Sequence, residues 1–256
     1  MTLLLLHSAG ATPDVWTDVR RYLFGVPVLT PALPGREGAG PATESVAEHA
    51  TAVLRVMDDA GIDRVTVAGH SLGGAVALWL AIHARDRVAG IGVANASARM
   101  RVHPQLLAAL PEGFSDVLEM IAVSNFPPGS PREWIDRRRD AYERVGGATL
   151  LADLLACDRF DVLDRLWEIR CRTQIMTGSE DALTPPKHAL AMAERISAAR
   201  VTHYAGAGHM LPFERAAEVA GELAVLWAAG LEPAIRAREG SAPPAAERAA
   251  ADPRAG

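Results

Sequence analysis

Short apolar runs that alternate with longer amphipathic stretches set the strongest limit on how this chain can fold. The runs occupy residues 2–6, 26–31, 65–68, 88–94, 173–177 and 200–204. Each is continuous or nearly so rather than alternating, as a strand buried on both faces requires. Helical patterns fall between them, at 15–23, 46–60, 73–84, 186–196 and 213–229. Strand and helix in regular turn are the signature of an α/β fold, here a mainly parallel sheet of about six strands flanked by helices. Gly61 and Gly230 stand where a left-handed helix stop is expected.

The alternation breaks once. Between residues 98 and 164, helical segments follow one another with no strand between them, which reads as a helical cap inserted into a core made of residues 1–97 and 165–230. Phe114, Leu118, Ile121, Phe126, Trp134, Tyr142, Leu150 and Leu154 recur there at helical spacing. Most are expected to pack the cap onto the core, with a minority, Trp134 among them, lining a pocket. Residues 231–256 are rich in Ala, Pro, Glu, Arg and Gly and offer little apolar surface to offset their ordering entropy, so a disordered tail is expected.

Composition narrows the function. The chain has 256 residues, 49% of them hydrophobic, and a net charge of −5, which fits a globular protein with a sizeable core. Nucleic acid is a poor partner, because its phosphates call for clustered Lys and Arg. The apolar opening, Leu3 to Leu6, lacks a basic flank and is too short for a signal peptide or a membrane span. Cys157 and Cys171 are too few for a disulfide framework, so a reducing cytoplasm is the expected compartment. No His-Glu-x-x-His or comparable metal signature is present, and no cofactor is implied.

The strongest local signal is Gly69-His70-Ser71-Leu72-Gly73, set between the strand at 65–68 and a small-residue helix. In a nucleophile elbow the serine sits on a strained strand-to-helix turn, and the flanking glycines are needed because a Cβ there would meet neighbouring backbone. Ser71 needs a base. His209, in the loop Gly206-Ala207-Gly208-His209-Met210 after the last strand, is the best of the eight histidines. His203 lies within a strand; His49, His83, His103 and His188 read as solvated faces. His70 and Met210 are expected to line the site. For an orienting acid, the loop after the strand at 173–177 offers Glu180 and Asp181, with Asp181 preferred because the turn from Gly178 should carry it back over the sheet. The preceding strand is followed by Asn95 and Ser97, neither ionisable. Oxyanion stabilisation needs two backbone N–H groups. Leu72, at the helix start, is expected to give one, and Ala9, in the loop His7-Ser8-Ala9-Gly10, the other.

In this order, the His7 loop, the elbow, the acid loop and the Gly208-His209 loop resemble the α/β-hydrolase superfamily over residues 3–226. The resemblance implies a Ser71, His209, Asp181 triad and an acyl-enzyme mechanism. The chain is similar to a short form lacking the two leading antiparallel strands of many members, which leaves the segment 26–31 at an edge and makes a homodimer an expectation. Ser8 stands where the family often has Gly, a hydroxyl position similar to that of hydroxynitrile lyases, and it is expected to face the pocket. Those enzymes have a lysine after the histidine where this chain has Met210, which favours hydrolysis over lyase chemistry. Ala32 replaces a usual acidic residue and is expected to alter loop anchoring.

The resulting expectation is a serine hydrolase of small carboxylic esters or lactones. Alternatives are a thioesterase or acyltransferase of a biosynthetic pathway, a non-catalytic ligand receptor on the same fold, and a cofactor-free haloperoxidase side activity. An arginine that binds a substrate carboxylate would suit a metabolic lactonase. Arg99, Arg101 and Arg137 to Arg139 are the candidates, each weighed against a solvated helix face.

Overall fold

The computed structural model describes the backbone of residues 1–240 and the side chains of residues 1–231. Along the chain run β1 (Thr2–Leu6), α1 (Thr17–Arg20), β2 (Val28–Leu29), α2 (Val46–Asp59), β3 (Val65–His70), α3 (Leu72–His83) and β4 (Val88–Ala94). Then come α4 (Pro104–Glu112), α5 (Phe114–Ser124), α6 (Arg132–Val145), α7 (Gly147–Arg159), β5 (Arg172–Gly178), α8 (Pro186–Ala193), β6 (Ala199–Tyr204), α9 (Leu211–Glu214) and α10 (Ala216–Gly240). The strands form one six-stranded sheet in the order β2-β1-β3-β4-β5-β6. Every neighbouring pair is parallel.

β1 shows why such a sheet reads as unbroken apolar runs. Successive side chains on a strand point to opposite faces, and helices cover both. Leu4 and Leu6 pack with Val46, Ala50, Val53 and Met57 of α2 and with α3. Leu3 and Leu5 pack on the other face with Trp16, Val19 and the α10 residues Val219, Ala220 and Leu223. All four leucines are fully buried, and each such side chain contributes roughly 1.5–3 kcal/mol.

Several expectations need correction at their edges. The segment 26–31 pairs with β1 only through Val28 and Leu29, at one edge of the sheet. The helical pattern at 15–23 resolves into a 3-10 turn (Pro13–Trp16) followed by one turn of α1. Gly61 does end α2: it has φ +64°, and Ile62 N–H closes back on the Met57 carbonyl at 2.8 Å. Gly230 ends nothing. A Cβ there would come within 2.5 Å of Met1, so its smallness lets α10 approach the sheet, and the helix continues to Gly240. The tail expected from residue 231 is therefore helical at its start, and residues 241–256 lie outside the described residues.

Between β4 and β5 the helices α4 to α7 follow one another with no sheet strand. Their entry and exit are tied together. Arg99 and Asp161 form an isolated antiparallel bridge, Val162 N–H donates to the Ala98 carbonyl at 2.8 Å, and Arg99 Nε donates to Asp161 at 2.5 Å.

Candidate active site

Ser71 lies where β3 gives way to α3, with φ 52° and ψ −114°. A non-glycine residue at positive φ stores strain, and the crowding around it explains the flanking glycines. A Cβ on Gly69 would sit 2.0 Å from the Gly73 carbonyl carbon, and one on Gly73 would sit 2.3 Å from the Leu6 carbonyl oxygen. Neither contact can be relieved by a side-chain rotation, since the neighbours are backbone. Ser71 N–H is anchored to the Ala94 carbonyl of β4 at 2.9 Å. Its hydroxyl has no hydrogen-bond partner among the described residues, and Ser71 forms part of the wall of a cavity of about 470 Å³.

His209 reaches the same cavity from the loop after β6. Its Nδ1 lies 3.0 and 3.1 Å from the two carboxylate oxygens of Asp181. A carboxylate only accepts, so Nδ1 is the donor in this pair. Asp181 is held in turn: its Oδ1 accepts from the N–H groups of Leu183 and Thr184, both at 2.9 Å, and its Oδ2 from the Thr184 hydroxyl at 2.6 Å. Burial pushes the Asp181 carboxyl up, but the His209 imidazole and the Thr184 donors together outweigh it and hold the group well below the usual carboxylate range. The imidazole and the carboxylate thus form one hydrogen-bonded pair in which the carboxylate fixes the ring, and Ser71 and His209 line the same cavity.

The His209 backbone is fixed on every side. Its N–H donates to the Asn125 carbonyl at 2.9 Å, and its carbonyl accepts from His70 Nε2 at 2.6 Å. The N–H groups on either side, of Gly208 and Met210, donate to the two carboxylate oxygens of Glu214 at 2.7 and 2.9 Å. Burial raises the Glu214 carboxyl above its usual range. Burial also pushes the His70 imidazole well below its ordinary value, so this ring supports the loop as a neutral donor. Glu214 was legible in principle, because a glutamate early in a helix reaches back to the N-cap N–H. Asn125 carries no local signal.

Leu72 N–H, at the first position of α3, has no intrahelical acceptor. Ala9, on the loop after β1, lines the cavity beside Ser8 and Ser71. Behind them His7 is buried and neutral: Leu33 N–H donates to its Nε2 at 3.0 Å, so Nδ1 carries the proton and donates to the Ser8 carbonyl at 3.0 Å. Burial and the nearby Arg36 both depress its pKa.

The other pocket expectations divide. Ser8 lines the cavity, and its buried hydroxyl has no partner. His70, Met210 and Trp134 do not line it. His70 is spent on the His209 carbonyl. Met210, fully buried, turns into the core as the residue before α9. Trp134 faces Phe126, ring centres 6.0 Å apart, and packs against the core. Ile121, Tyr142, Leu150 and Leu154 do supply wall. Of the histidines read as solvated, His188 and His103 border the cavity, and His49 is fully buried, 3.6 Å from Asp153.

The arginines also separate. Arg139 lies on an exposed face among Glu119, Asp136, Asp140 and Glu143, and Arg137 pairs with Asp18. Arg99 and Arg101 line the cavity while sharing Asp161. Arg138, expected on a solvated face, is buried at 3% exposure and lines the cavity. Arg36 meets Asp153 at 2.6 Å, which anchors its loop without an acid at position 32. Among the described residues no group of three or more His, Cys, Asp or Glu could hold a metal ion. No helix among them is long and apolar enough to cross a membrane.

Comparison with known proteins agrees with the fold. Residues 3–222 match the alpha/beta hydrolase family, and the chain belongs to it. It is 30% identical to a pimeloyl-[acyl-carrier protein] methyl ester esterase of Aromatoleum aromaticum, over 81% of this chain and 90% of that protein. It is 29% identical to a putative carbamate hydrolase of Azorhizobium caulinodans, over 68% of this chain and 70% of the relative. A hydrolase from Pseudomonas aeruginosa superposes with a TM-score of 0.80 at 25% identity, covering 88% of this chain and 89% of the other. These likenesses support hydrolase activity.

Proposed function

We propose that this chain is a serine hydrolase of small carboxylic esters or lactones that works through an acyl-enzyme intermediate. The observation that carries the reading is the Asp181–His209 contact at 3.0 Å, with His209 on the wall of the cavity that the strained Ser71 also lines. His209 Nε2 takes the Ser71 proton as Oγ attacks the ester carbonyl, and Asp181 stabilises the imidazolium. The tetrahedral oxyanion is received by the N–H groups of Leu72 and Ala9, each such donor being worth about 3 kcal/mol. His209 then protonates the departing alcohol, and water activated by the same imidazole frees the acid and restores Ser71.

The substrate class follows from the walls. Met100, Val102, Leu106, Ile121, Leu154 and Met192 give the cavity an apolar lining, suited to an acyl chain of modest length, with polar groups near Ser71. The similarity to a relative named as a methyl ester esterase supports esters, and a thioesterase, which would use the same nucleophile and base, is the second reading. The unpaired cysteines Cys157 and Cys171 fit a cytoplasmic setting. The test is a panel of p-nitrophenyl esters of increasing acyl length, simple lactones and coenzyme A thioesters, run on wild type and Ser71→Ala. Short-chain esters should turn over, with kcat at least about 10³-fold above the variant. Equal activity in both proteins would refute the reading.

A further inference from the structure

We propose that Arg138 and Asp153, carried by the inserted helices α6 and α7, are positioning residues for the oxyanion loop, so that the insert completes the catalytic machinery as well as walling the cavity. The inference rests on the Ser71 reading. It starts from one peptide unit, the link between Ala9 and Gly10. Its carbonyl accepts from Arg138 Nη2 at 2.6 Å, and its N–H donates to Asp153 Oδ2 at 2.8 Å. Because a peptide is planar and trans, the two groups point in opposite directions, and the unit is gripped from both sides by opposite charges. The Gly10 carbonyl adds a third bond, from Arg138 Nη1 at 3.1 Å.

The preceding peptide is oriented by the core. The Ser8 carbonyl is held by His7 Nδ1 at 3.0 Å and by Ala11 N–H at 3.2 Å, which turns the Ala9 N–H the other way. One of that peptide's two anchors, the Ala11 N–H, directly follows the Ala9–Gly10 unit that the insert grips, so the insert reaches the Ala9 N–H through the Gly10 to Ala11 turn. Gly10 shows how closely the insert is pressed on the loop: at φ +58°, a Cβ there would lie 2.4 Å from the Tyr142 ring.

Charge supports the assignment. Asp153 is fully buried and answered by Arg36, whose Nη1 and Nη2 meet its oxygens at 3.0 and 2.6 Å. Arg138 has no such partner: among the described residues no carboxylate forms an ion pair with it. Its hydrogen bonds go to the Ala9 and Gly10 carbonyls and to Asn125 Oδ1, and its guanidinium stacks 3.9 Å from the Tyr142 ring centre. A buried cation with no carboxylate in contact is costly, and this one holds the loop where the reaction would develop negative charge. Asn125 extends its reach, since the same residue's backbone carbonyl accepts the His209 N–H. Arg138 therefore braces both the oxyanion loop and the histidine loop.

The experiment compares wild type, Arg138→Ala, Arg138→Lys and Asp153→Asn. It measures kcat and KM on a short p-nitrophenyl ester, affinity for a boronic acid that forms a tetrahedral adduct, and rescue by added guanidinium ion. Positioning predicts a fall in kcat of about 10²-fold in Arg138→Ala, with KM within threefold. Boronate affinity should fall in parallel with kcat/KM. Millimolar guanidinium, entering through the cavity, should restore at least tenfold in Arg138→Ala and nothing in wild type. Arg138→Lys, which keeps the charge but loses the fork, and Asp153→Asn should fall between. Arg138→Ala with kcat within threefold of wild type would overturn the proposal. If that variant fails to fold, Arg138→Lys and Asp153→Asn with unchanged kcat and boronate affinity would overturn it equally. A wild type that hydrolyses none of the esters would instead overturn the Ser71 reading, and this proposal with it.

Discussion

Replacing Glu214 by glutamine tests how the histidine loop is held. The wild-type carboxylate accepts two buried N–H groups, from Gly208 and Met210, one on each oxygen. Glutamine offers one oxygen and one NH₂, so one of the two backbone donors faces another donor and loses its partner. An orphaned buried N–H costs about 1–3 kcal/mol. Part of this is offset because the variant no longer buries a charge, the same burial that raises the wild-type carboxyl above its usual range. A net loss of about 1–2 kcal/mol remains, which for a chain of this size lowers Tm by roughly 2–8 °C. The larger effect should be on rate. His209 lies between the two N–H groups that Glu214 holds, and a displacement of about 1 Å at a catalytic group can cost 10²-fold. Calorimetry and ester kinetics at pH 7.5 should give kcat down roughly 10- to 100-fold with KM within threefold. A Tm within 1 °C of wild type and kcat within twofold would refute the reasoning.

Three further outcomes follow from the same geometry. Gly69→Ala puts a Cβ 2.0 Å from the Gly73 carbonyl carbon; a loss of at least about 3 kcal/mol is expected, seen as a Tm lowered by roughly 6–12 °C or as insoluble protein. Gly221→Ala fills open space on an exposed stretch of α10, so it should stabilise by about 0.5–1 kcal/mol in denaturant titration. Asp181 has a folded-state pKa held below its unfolded value, so its ionisation stabilises the fold above the unfolded value near pH 4 and loses that contribution as pH falls further. The stability gap between wild type and Asp181→Asn, measured by urea unfolding, should therefore shrink between about pH 5 and pH 3, and a gap that widens would contradict the sign.

What was legible in the sequence is what short-range chemistry dictates. The four leucines of β1, the glycines around Ser71 and the carboxylate at Asp181 each state their surroundings within a few residues. The weaker expectations failed where tertiary contact decides. Gly230 looks like a helix stop, yet its smallness serves packing against Met1. Trp134 has the spacing of a pocket residue, yet Phe126 draws it to the core. Arg138 belongs to a run of three arginines that read alike on paper. Arg137 and Arg139 meet acids near the surface, while Arg138 points inward to carbonyls 128 and 129 positions away in sequence. His49 is a similar case: a histidine on a helix reads as solvated unless its distant neighbour, here Asp153, is known.

The central claim is that Ser71 is activated by His209 and Asp181, and covalent trapping tests it most directly. Intact-mass analysis after exposure to a fluorophosphonate should show a single adduct on wild type, none on Ser71→Ala, and slowed labelling on His209→Ala. Well-folded wild type that gains no adduct, or a Ser71→Ala variant that labels as fast as wild type, would contradict it.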